Sequence, residues 1–267
     1  LLSGNNVAKI LRGIGFEVYE IDVKKDLKYL TEELYKSKPD FIYNALHGIG
    51  GEDGTIQGIL EVFGIPYSNS GVLSSAIGFD KSICKILAKD AGINTIPGYC
   101  VRSSEIKNIN KSGVKLNYPF IIKPACNGSS VGVFLISDEN DLVKVQSTPW
   151  EYGDRILVER YIKGREFTVV VIDNKVKGAI EIEFQNQFYD YESKYNAGKS
   201  SHILTFQLNN TIKNKMFEMA EQIYAACLCR GIARVDFRYD GKQVYFLEIN
   251  TQPGMTEKSL VPDVLRN

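Results

Sequence analysis

Arg234 and Asp236 stand two residues apart in the run "ARVDFRYDGKQVYFLEIN", and Glu248 and Asn250 stand two apart at its end. A β-strand sends alternate side chains to the same face, so each pair shares a face of its own strand. Two carboxylates and an amide oxygen are the hard donors that Mg²⁺ takes, an ion that commonly shares its sphere with phosphates. A guanidinium beside them suits an anionic reaction centre. Whether all four converge is a matter of parity. A two-residue turn at Asp240-Gly241 pairs 236 with 245 and sends Glu248 to the face away from Asp236. An odd-length loop over Tyr239–Gly241, with Gly241 left-handed, brings them together, and that loop is the expectation. The plainer alternative is a solvated polar side of a hairpin. The run leads into Gln252-Pro253-Gly254, a sharp turn.

Other residues point to anion chemistry. Lys123 ends the apolar strand-like "PFII" and must reach an anion or solvent, since an unpaired buried ammonium is costly. The loop after it, Asn127-Gly128-Ser129-Ser130-Val131-Gly132, can present backbone N–H groups and hydroxyls to phosphate, or simply join two strands. It is not a Walker A loop, and no Rossmann fingerprint occurs. "HGIGGEDGT", with His47, lies between a strand and a helix, where α/β sheets bind ligands. It also reads as a glycine-rich turn capped by Asp53 or Thr55. Glu159 and Glu166 flank a short connection, where surface charge is the default. Residues 184–202, "FQNQFYDYESKYNAGKSSH", form a long polar stretch of the kind that makes lids, or merely a solvated loop.

The elements that must position these groups read as follows. A helix capped by Ser3 runs to about Arg12, followed by a strand at 16–23, a helix at 26–37, a strand at 40–45 and a helix at 55–63. This is a βαβ pattern and predicts a parallel sheet. A helix follows Asp80. Strands flank the 127–132 loop, with a helix at 139–146 and a strand over "RILVERY". Strands at 166–173 and 175–183, a helix at 210–228 and strands at 231–239 and 242–250 complete an α+β pattern. The chain starts without Met and helix-first, so a first strand is expected to be missing, and "SLVPDVLRN" reads as a helix cut short.

Composition narrows the class. The 267 residues are 44% hydrophobic and 24% charged, enough to bury real cores in one large or two to three small domains. Lys and Arg total 32 against 32 Asp and Glu, so no basic excess argues for nucleic acid or a membrane surface. No apolar run approaches the ~20 residues of a span, and no signal peptide is evident. Cys84, Cys100, Cys126, Cys227 and Cys229 lack zinc spacing and read as reduced thiols of a cytoplasmic protein.

Taken together, "HGIGGEDGTIQG", "DKSICKILAKDAGI", "IIKPACNGSSVGV", "VERYIKGREF", "FYDYESKY", "RVDF" and "LEINTQPGMTEKSLVP" resemble the D-alanine–D-alanine ligases of the ATP-grasp superfamily, in that family's order, from about residue 40 onward. The resemblance implies a three-domain ATP-grasp ligase of α/β and α+β class. Its N-terminal domain (1–75) holds a parallel sheet, and ATP lies between two α+β subdomains (76–162 and 163–267). It implies that one D-alanine is phosphorylated by ATP and attacked by the amine of a second, giving D-alanyl-D-alanine, ADP and phosphate for peptidoglycan synthesis.

It further implies roles. Asp236, Glu248 and Asn250 would hold two Mg²⁺ ions, with Mn²⁺ able to substitute. Lys81 and Lys123 would meet ATP phosphates, Lys123 also lying near adenine, with Ser130 at the nucleotide. Glu159 and the backbone through Ile162 would bind adenine and Glu166 the ribose. Arg234 and the Gly254 N–H would form an oxyanion hole. Ser259 and Leu260 would receive the second D-alanine's carboxylate, with His47 near the first. Ser129, Tyr195 and Lys194 would join the lid to the glycine-rich loop and the γ-phosphate, Lys194 also facing substrate. A homodimer is implied. The Glu that holds the first D-alanine's ammonium in the family would precede this chain's first residue, so weaker activity than a longer parent is expected. The alternatives are another ATP-grasp carboxylate–amine ligase, against which the intact "YDYESKY" argues, and a non-catalytic nucleotide binder, against which the intact ligand set argues.

Overall fold

Two antiparallel sheets carry the molecule. The structure is a computed structural model that describes residues 2–24, 26–110, 115–128, 131–184, 200–204 and 206–266. The N-terminal helices are α1 (Leu2–Gly13), α2 (Leu27–Ser37), α3 (Thr55–Phe63), α4 (Val72–Phe79) and α5 (Lys81–Asp90). The first sheet is built from β1 (Gly98–Arg102), β2 (Phe120–Pro124), β3 (Phe134–Ile136) and β4 (Arg155–Arg160) in the order β1-β4-β2-β3, with α6 (Glu139–Ser147) on it. The second contains β5 (Arg165–Ile172), β6 (Lys175–Phe184), β7 (Ser200–Ile203), β8 (Ile232–Tyr239) and β9 (Val244–Asn250) in the order β7-β6-β5-β8-β9. Helices α7 (Asn210–Ala226) and α8 (Leu260–Arg266) complete the chain.

Each sheet closes its own core. Phe120, Ile122, Ile156 and Val158 of the first sheet pack with Leu142 and Val145 of α6. On the second, Phe167, Val169, Val235, Phe237 and Phe246 pack with Met216, Ala220 and Ile223 of α7 and with Cys84 and Ala88 of α5. Helix α5 thus seats on the second sheet, while its first residue faces the first: Lys81 N donates to Ala125 O at 2.9 Å. Its N-cap is Asp80, whose Oδ1 accepts from Ser82 N at 3.0 Å and Ile83 N at 3.1 Å. These bonds, with the Arg155 ion pair, hold the Asp80 carboxyl below its usual range although burial alone pushes it up.

Several expectations need correction. No strand forms at 16–23: Phe16 and Tyr19 are exposed, and among the described residues that backbone has no ladder partner, without which a strand's N–H and C=O groups do not hold it. The strand at 40–45 and its parallel pairing are reduced to one bridge, Ile42 to Tyr67. Ser3 does not cap α1 but lies buried inside it. Strand β1, too short to show a period, and α4, whose Ser74 and Ser75 bond backbone carbonyls, were not foreseen. Most of the expected lid, 185–199, lies outside the described residues. Its end does not belong to a loop, because Ser200–Ile203 pairs with Glu181–Phe184 at the edge of the second sheet.

Candidate active site

The β8–β9 hairpin brings the four opening residues together, by a route other than the expected one. Tyr239 pairs with Val244, leaving a four-residue loop, Asp240 to Gln243. Asp240 Oδ1 folds that loop by accepting from Lys242 N at 2.8 Å and Gln243 N at 2.7 Å, and Gly241 takes φ 93°. The loop is therefore even, and a regular ladder would set Leu247, not Glu248, opposite Asp236. A β-bulge corrects the parity. Phe237 pairs with Phe246, but Asp236 pairs with Glu248 and Arg234 with Asn250, leaving Leu247 as the extra residue. All four side chains then share one face.

Asp236 and Glu248 of that face form one wall of a cleft of about 140 Å³ between the two sheets. Ile121, Lys123, Glu159 and Ile162 line the opposite wall, Lys81, Asn127 and Gly128 one end, and Glu166 and Arg238 lie beside Asp236. The bulge residue Leu247 faces the cleft with Ile96 and Ile162, making an apolar patch in its lining.

The charges are matched in pairs. Arg234 grips Asp236 with two nitrogens, Nε to Oδ1 at 3.0 Å and Nη2 to Oδ2 at 2.9 Å, and Thr168 Oγ1 donates to Oδ1 at 2.7 Å. Lys81 Nζ lies 3.2 Å from Glu248 Oε2 and donates to Asn127 O. Arg238 Nη2 lies 3.2 Å from Glu166 Oε2. Glu159 is 1% exposed and holds two ammonium groups, Lys85 and Lys123, each at 2.7 Å. Burial alone would raise the Glu159 carboxyl, but Lys123 and then Lys85 hold it below its usual value. Burial pulls Lys85 down; it pulls on Lys123 too, but there the charge and hydrogen bond of Glu159, with the charges of Glu248 and Glu166, together outweigh it and push the ammonium up.

Beyond the metal-type face, the chain turns at Thr251 to Thr256. Asn250 Oδ1 accepts from Gln252 N at 2.9 Å, and the buried Gln252 side chain donates to Asn44 O and accepts from Asn69 Nδ2 at 2.8 Å. This pins Gly254 between the second sheet and the N-terminal segment. A Cβ at Gly254 would meet Ser259 Oγ at 3.0 Å, so the site favours glycine. Ser259 Oγ accepts from Thr256 N at 3.0 Å, and Leu260 opens α8 just beyond it. His47 reaches the same region: its Nε2 lies 3.3 Å from Ser3 Oγ, which accepts from Met255 N at 3.3 Å, while Nδ1 lies 3.1 Å from Glu52 Oε1. Asp53 folds the turn before α3, accepting from Gly50 N at 2.9 Å and Thr55 N at 3.0 Å, but the N-cap of that helix is Gly54, which has no side-chain cap, so the expected helix-capping by Asp53 or Thr55 is not what forms.

Of the site residues expected from sequence, Arg234, Asp236, Glu248, Asn250, Lys81, Lys123, Glu159, Ile162 and Glu166 surround or border the cleft. His47, Gly254, Ser259 and Leu260 lie around the turn beyond it. Ser129, Ser130, Lys194 and Tyr195 lie outside the described residues. Each oxygen of the Glu159 carboxylate faces a lysine, Oε1 Lys85 and Oε2 Lys123. Lys85, Leu247, Gln252 and Thr168 were missed. Lys85 had a signal, being a lysine on the face of α5 that also carries Cys84 and Ala88.

As for metals, Asp236 and Glu248 sit directly opposite each other with Asn250 two residues on, a set of hard oxygen donors that suits Mg²⁺. Among the described residues no three of His, Cys, Asp and Glu gather, so any cation there relies on the amide as well.

Comparison with known proteins agrees with this geometry. The family profile described as D-ala D-ala ligase C-terminus matches residues 87–267, and the one described as D-ala D-ala ligase N-terminus matches 31–70. A D-alanine–D-alanine ligase of Chelativorans sp. is 43% identical over 274 residues, 99% of this chain and 86% of the relative. One from Azorhizobium caulinodans is 44% identical over 271 residues, with the same coverage of 99% and 86%. The crystal structure of D-alanine–D-alanine ligase from Bacillus anthracis complexed with ATP superposes with TM-score 0.83 at 32% identity, over 99% of this chain and 85% of that one. VanG D-Ala:D-Ser ligase from Enterococcus faecalis gives TM-score 0.75 at 32% identity, over 85% and 68%.

Proposed function

The chain belongs to the D-alanine–D-alanine ligase family, and from that premise we propose how its residues divide the work of an ATP-dependent ligase joining two D-alanines. The carrying observation is the single face formed by Arg234, Asp236, Glu248 and Asn250 opposite Lys123 across one cleft. Phosphoryl transfer asks a protein mostly for positioning and charge neutralisation, and this cleft supplies both.

ATP is the co-substrate. Its ring meets the apolar patch at Ile162 and Leu247 beside the backbone of residues 159–162, and Glu166 takes the ribose. Lys81, Lys123 and the loop containing Ser129 and Ser130 hold the phosphates. Asp236, Glu248 and Asn250 would hold two Mg²⁺, or Mn²⁺, ions; a cation there neutralises phosphate charge. Since Asp236 faces Arg234 and Glu248 faces Lys81, these carboxylates already sit among cations, and an ion would share them.

The acceptor end lies at the turn. Arg234 and the Gly254 N–H stabilise the oxyanion formed when the second D-alanine's amine attacks the acylphosphate of the first. Ser259 and Leu260 receive that D-alanine's carboxylate at the start of α8, and His47 orients the first. The lid role expected of the segment with Lys194 and Tyr195, which lies outside the described residues, would be to exclude water, to which an acylphosphate is vulnerable. The divisions 1–75, 76–162 and 163–267, a homodimer and a cytoplasmic location complete the reading. No helix among the described residues is long and apolar enough to cross a membrane.

The test is phosphate release and dipeptide formation with ATP and D-alanine, L-alanine, or D-alanine mixed with D-serine or D-lactate. D-Alanine alone should support turnover. Preference for a mixed product would move the acceptor assignment toward the D-Ala:D-Ser type; no amino-acid dependence would overturn the reading.

A further inference from the structure

Helix α5, strand β4 and strand β9 meet at one buried ammonium. Lys85 is 5% exposed, and its Nζ lies 2.7 Å from Glu159 Oε1 in the first sheet and donates to Phe246 O in the second at 3.3 Å. The other oxygen of Glu159 holds Lys123 Nζ at 2.7 Å. Lys123 and Glu159 line the cleft; Lys85 stands behind them, out of reach of a ligand. The charge count matters. A lone Lys123–Glu159 pair would be neutral and offer an anion little. Two lysines on one carboxylate leave a net positive charge, and only Lys123 can present it to the cleft.

We propose that Lys85 is a positioning residue for nucleotide binding: it engages one oxygen of Glu159 from behind, so that the positive charge of Lys123 remains available to the phosphates. This rests on the cleft being the nucleotide site. Burying an unpaired charge is costly, which explains why Glu159 must be present at all. Lys85 also ties both sheets to α5, whose first residue is Lys81, so one side chain sets the charge and the spacing of the phosphate end. Glu159 from β4 and Lys123 from β2 are the charged groups facing it, with the Cys84 thiol beside it on α5.

The experiment is the Kd of a non-hydrolysable ATP analogue for the chain and three variants, with thermal unfolding of each without nucleotide. Lys85→Met keeps length and leaves Glu159 paired with Lys123, so it should fold. Its Kd should rise about tenfold, the size of a coupling of one pK unit. Adding Glu159→Gln to it restores the net charge and should return the Kd to within about threefold of the parent. A bracing role alone predicts the reverse, because the double variant loses both contacts. An unchanged Kd in Lys85→Met, or a double variant weaker than the single, would overturn the proposal. Lys123→Met separates it from the reading beneath it. If that variant binds the analogue as the parent does, the cleft is not the nucleotide site; if only Lys85→Met is silent, the nucleotide site stands and the charge-count role falls.

Discussion

Replacing Arg234 by Ala should separate catalysis from binding. The side chain makes two charge-assisted bonds to Asp236, at 3.0 and 2.9 Å, in a pair whose side chains are 17% and 9% exposed. Hydrogen bonds to charged groups contribute about 1.5–3 kcal/mol, so the resting protein should lose that order of stability and melt about 3–10 °C lower. Mg²⁺ should recover part of the loss, because Asp236 then has another cation to face. Turnover should fall further than stability does. Removing one oxyanion donor costs about 10²–10³ in kcat, or about 2.7–4 kcal/mol. Nucleotide affinity should change less than about threefold, because the phosphates are left with Lys81 and Lys123. The assay is steady-state phosphate release at saturating ATP and D-alanine, well below the variant's melting temperature, beside the Kd of an ATP analogue. A raised KM for ATP with unchanged kcat would refute the oxyanion role and make Arg234 a nucleotide ligand.

Other substitutions have equally definite outcomes. Glu159→Gln leaves two buried ammonium groups without a counter-charge and should destabilise the fold by about 3–5 kcal/mol; denaturant titration showing under about 1 kcal/mol would mean that Lys85 and Lys123 are not both charged. Because its folded-state value is depressed, the contribution of Glu159 is fully present above the ordinary carboxyl value of 4.5 and is lost as pH falls from there through the lowered value, so the parent's melting temperature should drop on acidification more than the variant's. Deleting Leu247 removes the bulge yet keeps Glu248 opposite Asp236, so metal dependence should survive while nucleotide affinity falls about tenfold with the apolar wall; loss of metal dependence would show that the bulge does more than correct parity. Gly254→Ala presses on Ser259 Oγ and should lower kcat about tenfold with little change in KM for ATP, read from the same kinetics.

Much of the Arg234–Asn250 face was legible because strand periodicity is strict. Arg234 with Asp236, and Glu248 with Asn250, had to share faces. Their union was not legible by the route expected, since loop length and bulge position trade off in parity and only the Asp240 turn decides between them. Strands at 166–173 and 175–183 emerged almost as read, because the first is a long apolar run and the second alternates charged with apolar residues over its length. The strand at 16–23 did not, because apolar residues favour a ladder only when a partner is there to form it. Lys85 escaped notice for the opposite reason: its surroundings come from two sheets remote in sequence, and a lysine on a helix reads as a solvated charge until its neighbours are known.

The most direct measurement is ATP turnover by the purified protein with each alanine isomer, following phosphate and dipeptide together, in the presence of Mg²⁺ and after its removal by a chelator. The expected result is one phosphate released for each D-alanyl-D-alanine formed, dependent on the cation, with L-alanine at background. Equal rates for both isomers, or phosphate release that needs no amino acid, would contradict assignment of the β8–β9 face to D-alanine ligation.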